Sequence, residues 1–248
     1  MNEDFETCRL VKFVMENPIN KSFHYDYITL KDGRIEKLFS IDIGSNKDTV
    51  NKVVAYFEYS ESGRVKAVRD ESNRNIIIRF DGDLDNNGNA IKIRQTMNGV
   101  LVDEISVEYD SKNRPVNITS TNLIGINRTV KYTSMGNPHL IFRSDAGLQP
   151  TMTEHTFDTK RNFFFGIPEI QFYWIIRPLY SFIPYGDHNI VSSKVFVFQG
   201  KEYKESESQH TKRELIYNNK GYPETVRIIR NDVSGTVANI STFSYDCL

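Results

Sequence analysis

The chain has 248 residues, 39% apolar and 25% charged, with 16 Phe and 13 Tyr; this is enough to bury a substantial core and excludes a disordered chain. Its 31 basic and 32 acidic residues leave a net charge of -1, which excludes a field that would draw nucleic acid or an anionic membrane surface. No run approaches the roughly 20 apolar residues of a membrane-spanning helix. The start, Met1 to Leu10, lacks the basic and apolar regions of a signal peptide, so a cytosolic protein or a mature form is expected. Cys8 and Cys247 stand near opposite ends with no metal-type spacing. They read either as a staple between the termini or as two independent thiols.

Along the chain, a turn signal at Asp32-Gly33 is followed by a recurrent unit in which a tyrosine closes a strand and a Gly or Asn stands four residues later. The copies are Tyr59 with Gly63, Tyr109 with Asn113, Tyr132 with Gly136, and Tyr217 with Gly221. A hairpin loop built on a type I turn needs a residue that tolerates positive φ just before the return strand, and these four fill that place. The flanking strands alternate: Ile105, Val107 and Tyr109 face one way, Ser106 and Glu108 the other. Looser copies are expected at Phe157 to Asn162 and at Phe80, which leads into an enlarged loop from Asp81 to Asn89. There Asp83, Asp85, Asn87 and Gly88 copy the opening of a calcium loop, but Arg94 stands where a bidentate Glu is needed. A solvated acidic hairpin loop is the simpler reading, and a calcium-stabilised scaffold the alternative.

From Phe163 to Tyr185 the pattern breaks into a dense aromatic run with the only Trp and three prolines. Prolines exclude a regular central strand; a short helix is expected within Pro168 to Arg177. The whole chain, 1–248, reads as one β domain with an insert at 163–186 and about 14 to 16 short strands, most near six residues long. Histidines 24, 139, 155, 188 and 210 are scattered without metal spacing, and no nucleophile motif is present. No catalytic, cofactor-binding or metal residue is therefore assigned, and the chain is read as no enzyme. A glycan-active hydrolase, with carboxylates meeting at a barrel mouth, is the alternative.

The turns at Tyr109-Asp110 with Arg114, and at Tyr59 with Gly63-Arg64, resemble tyrosine-aspartate repeats of the Rhs type. Nearly the whole chain is similar to a family of secreted proteins and lipoproteins of gut bacteria with a porin-like fold. The similarity lies in Cys8-Arg-Leu-Val-Lys, the Phe163 to Pro168 stretch, the strand at His188 to Val197, and the closing Tyr245-Asp246-Cys247. This resemblance implies an antiparallel barrel outside the inner membrane, a secreted or lipid-anchored location, and no catalytic residue.

Charges such as Arg79, Lys92, Arg94, Lys131 and Arg227 on the polar strand faces indicate a barrel wet outside and apolar inside. A closed barrel of this many strands is too wide for its own side chains to fill, so the aromatic insert is expected to plug or cap it. Pairing of the first and last strands would remove both edges and bring Cys8 beside Cys247. The expected role is a surface binding or structural module with a glycan or protein ligand.

Overall fold

The computed structural model describes residues 8–72, 75–122, 127–144, 148–162, 169–176, 186–230 and 237–247. Its strands are β1 (Cys8–Asn17), β2 (Ser22–Lys31), β3 (Arg34–Ile43), β4 (Thr49–Tyr59), β5 (Val65–Ser72), β6 (Ile77–Leu84), β7 (Ala90–Met97), β8 (Val100–Tyr109) and β9 (Pro115–Ser120). They continue with β10 (Asn127–Tyr132), β11 (Pro138–Arg143), β12 (Thr151–Arg161), β13 (His188–Gln199), β14 (Glu202–Glu205), β15 (Thr211–Tyr217), β16 (Pro223–Arg230) and β17 (Val237–Cys247). One helix, α1 (Glu169–Ile176), lies between β12 and β13.

Every wall strand pairs antiparallel with its chain neighbours, and β17 returns to pair with β1, so the sheet closes on itself. β14 pairs only with β13, while β13 also meets β15 at Ser192 and Ser193. The wall therefore has sixteen strands and β14 is a hairpin extension. Strand lengths differ from expectation: β9, β10 and β11 have six residues, but most others have eight to twelve. Apolar residues on outward positions, such as Phe39 and Ile41 of β3, hide the alternation that marks a strand's extent.

The repeated turns hold. Gly63, Asn113, Gly136 and Gly221 all have positive φ, between 58° and 90°. In each copy the same two backbone bonds close the loop, as when Asp110 N–H donates to Arg114 O and Asn113 N–H to Asp110 O. The tyrosine has a second task. Tyr59, Tyr109, Tyr132 and Tyr245 donate their hydroxyls to the carbonyls of Ile35, Ala90, Pro115 and Pro223, at 2.6 to 3.0 Å. Each acceptor stands at the start of the preceding strand, so each of these tyrosines ties its strand to its neighbour at the same barrel end, whereas Tyr217 donates to Asp158 instead.

Two local expectations are corrected. The stretch Asp81 to Leu84 belongs to β6, so the loop is only Asp85 to Asn89 and has the ordinary repeat geometry. Phe157 to Arg161 continues β12 rather than turning, because its backbone pairs with β13 on both sides of a bulge.

Inside the wall, side chains form two layers. The layer at the tyrosine end is apolar, with Phe57, Val68, Phe80, Ile93, Ile118 and Phe243 among its buried members. Helix α1 sits within it: all of its eight residues save Gln171 are buried, with Phe172 6% and Trp174 3% exposed. A Cβ on Gly82 of β6 would stand 3.1 Å from the Phe172 ring, so that glycine makes room for the helix. The Tyr173 ring lies 5.9 Å from Phe57, and Glu169 accepts the Tyr59 hydroxyl at 3.2 Å. The aromatic insert thus plugs the barrel through α1; its remaining parts, 163–168 and 177–185, lie outside the described residues.

Candidate functional site

Beyond α1, towards the other mouth, the inward positions turn polar. Asp26, Ser40, Asp70, Asp103, Arg128 and His155 are buried there, on β2, β3, β5, β8, β10 and β12. Buried charge requires partners, and the partners differ around the ring. Asp103 accepts the Ser120 hydroxyl at 2.6 Å and the backbone N–H groups of Glu104 and Asn122.

On the acidic side, the imidazole of His24 is held between two carboxylates, with Nε2 3.1 Å from Asp26 and Nδ1 2.6 Å from Asp42. The Ser40 hydroxyl also donates to Asp26. Burial alone would lower the basicity of His24, but hydrogen bonds and charge from Asp26 and Asp42 outweigh it and raise the pKa to about 9. His24 is therefore a cation at neutral pH. A cavity of about 390 Å³ opens beside it, between Met15, Asp42, Val50 and Asn239.

The opposite side is basic. A cavity of about 290 Å³ lies against Trp174, lined by Arg128, Arg143 and Arg213 and by Thr153, His155 and Ser193. Arg128 and Arg143 are directly opposed in the β10–β11 register. Burial drives the Arg213 guanidinium down to about 10. Burial, together with the charge of Arg213 and the neighbouring His139, holds the His155 pKa down to about 3, so its imidazole is neutral. Its Nδ1 lies 2.9 Å from Ser193 Oγ.

These clusters escaped the sequence reading. Arg128 shares a face with Val130, and Asp26 with Ile28, so each looks like a lapse in an apolar face. That lapse is the signal, but it does not say which lapses meet.

The sequence-level candidates fall elsewhere. Asp81 pairs with Arg79 at 2.8 Å, Asp83 with Arg94 at 2.8 Å, and Asp85 accepts the backbone N–H groups of Asn87 and Asn89. The three carboxylates turn to three partners instead of converging, and among the described residues no group of three or more His, Cys, Asp or Glu is placed to hold a metal ion. Cys8 and Cys247 are backbone partners across the β1–β17 seam. On the outer face of β2, Phe23, Tyr25 and Tyr27 stack in a row.

No protein-family model matches the chain, and no curated protein does. A crystal structure of a porin-like protein from Bacteroides uniformis matches with a TM-score of 0.60, covering 96% of this chain and 98% of that one at 11% identity. The barrel is porin-like in fold. This is the fold that the likeness to the gut-bacterial family implies; the match does not extend to tyrosine-aspartate repeats or a lipid anchor, and at 11% identity it carries no site residue.

Proposed function

We propose that the protein is an extracytoplasmic, non-enzymatic barrel that holds a small ligand inside its wall rather than conducting solutes through it. The observation that carries this reading is α1: an apolar helix packed across one half of the lumen leaves a polar half with cavities. The outer wall supports it as well. Arg79 pairs with Glu58 and Asp81, Lys92 with Glu104, and Arg94 with Asp83, all facing away from the lumen. Outward charge of this density suits water and is costly against lipid. The extracytoplasmic location draws on the porin-like neighbour and on the opposed terminal cysteines, since disulfides persist in oxidising compartments.

The histidine chemistry supports a non-enzymatic role. A general base works best with a pKa near the operating pH, and His24 and His155 are displaced to either side of it. The His155–Ser193 contact is the one observation favouring the hydrolase reading; hydrolysis of a glycan or ester panel that Ser193→Ala abolishes would establish it instead. For the binding barrel, the expected result is a protein that stays monodisperse without detergent and gives no current steps in planar lipid bilayers. Stepwise conductance would overturn it.

A further inference from the structure

We propose that a cavity at the plugged mouth of the barrel binds a small zwitterionic amino acid, its ammonium group held by Glu169 and its carboxylate by Arg64. The cavity lies between α1 and the turns that follow β4 and β6. It is at the opposite end from the polar half of the lumen, so the proposal goes beyond the reading above.

A charge without a counter-charge carries the proposal. Glu169 belongs to the apolar end of the interior and is 7% exposed. Among the described residues its carboxylate accepts one hydrogen bond, from the Tyr59 hydroxyl at 3.2 Å, and pairs with no cation. A buried carboxylate is costly unless a cation and further donors compensate it. Asp103, buried in the polar layer, takes a hydroxyl and two backbone N–H groups. Glu169 instead lines a cavity of about 280 Å³.

The neighbouring lining suits an ammonium group. Asn89 and Gln171 line the same cavity and direct their NH2 groups elsewhere, Asn89 to Asp85 and Asn113, Gln171 to the Asn113 carbonyl. Their amide oxygens are left as acceptors, and with Glu169 they match the three N–H donors of an ammonium. The rings of Tyr109 and Phe172 also line the cavity, and aromatic faces attract a cation.

A charge of the other sign stands at the rim. Arg64 is exposed and lines the cavity, and its stem runs against the next turn, where a Cβ on Gly88 would stand 2.5 Å from its Cγ. Among the described residues no carboxylate pairs with its guanidinium, Glu169 included. A guanidinium and a carboxylate that share a cavity without joining match the two ends of a zwitterion. Val65 and Ile175 add an apolar wall for an aliphatic side chain. The volume lies at the lower edge of small-molecule pockets, which suits a single amino acid rather than a peptide.

Isothermal titration of the full chain with glycine, L-alanine and L-leucine, beside sodium chloride at the same ionic strength, tests the site, with thermal midpoints read in parallel. At least one amino acid is expected to bind saturably and to raise the midpoint as its concentration passes the dissociation constant. The amine and the carboxylic acid that correspond to the tightest of them each lack one charge and should bind at least about tenfold more weakly. Glu169→Gln keeps the side chain's size and an acceptor for Tyr59 while removing the charge, and should lose at least about tenfold in affinity. Arg64→Gln should lose as much, and its exposed position lets it carry the test if Glu169→Gln does not fold. No saturable binding of any of the three amino acids, equal affinity for the amine alone, or unchanged affinity in a folded variant would overturn the site. Bilayer conductance bears on the lumen reading alone, so the two can fail separately.

Discussion

At His24 and His155 the same side chain is pushed in opposite directions by two sides of one lumen, and each shift is a statement about stability. Histidine ordinarily titrates near 6.5, and His24 in the fold at about 9. The stability it adds is whole below pH 6.5 and fades as pH rises towards 9. His155 is depressed to about 3, so its contribution is whole above pH 6.5 and fades as pH falls towards 3. The two shifts correspond to on the order of 3 kcal/mol for His24 and 5 kcal/mol for His155. Denaturant unfolding across this range should show greatest stability near pH 6.5. His24→Gln should flatten the alkaline limb and His155→Gln the acid limb; variants with unchanged pH profiles would refute the assignment.

Single residues also set the turn conformation. Gly221 has φ of 79°, and a Cβ there would meet nothing within 4 Å. Substitution by Ala therefore isolates backbone strain from crowding. Gly221→Ala should cost about 1 to 2 kcal/mol in urea unfolding; no measurable cost would mean that the turn relaxes to another geometry.

At the scale of elements, the seam between β1 and β17 decides whether the barrel has edges. An open edge strand invites pairing with another chain, and closure removes both edges. Cys8 opposite Cys247 implies a Cα separation of roughly 4.5 to 5.5 Å, within the range a disulfide spans. Peptide mapping of oxidised, unreduced protein should recover one linked Cys8–Cys247 peptide. Reduction should lower stability by up to roughly 5 kcal/mol, the chain-entropy figure for a long loop. Both thiols alkylating freely in the oxidised protein would end the idea.

For the whole molecule, the plug solves a filling problem that the wall creates. Interiors pack to near-crystalline density, and sixteen strands enclose more space than their own inward side chains fill. Phe172 enters beside Gly82, so its truncation leaves a cavity in a region with little freedom to collapse. Phe172→Ala should cost about 3 to 5 kcal/mol, whereas Ile91→Ala, on the 45% exposed outer face, should stay within about 0.5 kcal/mol. Equal losses would show that α1 is not needed to fill the barrel.

Much of this was legible because it is local. Positive φ at Gly63 or Asn113 follows from a turn of a few residues, and the apolar weight of Phe172 to Ile176 marks a segment that must be covered. Misreadings arose where a distant partner decides. Asp83 looked like a loop ligand until Arg94 of β7 claimed it on β6. Phe157 to Arg161 looked like a turn until β13 paired with it.

By itself, then, the chain determined its hairpins, the alternation of its faces and the need for a plug, since each depends on neighbours in sequence. Only the tertiary structure decided that Arg128, Arg143 and Arg213 share one cavity with Trp174 while His24 lies between Asp26 and Asp42. Alternation places a side chain inside or outside the wall. Its height in the barrel and its companions across the lumen depend on strand register accumulated around the closed sheet, which no local pattern encodes.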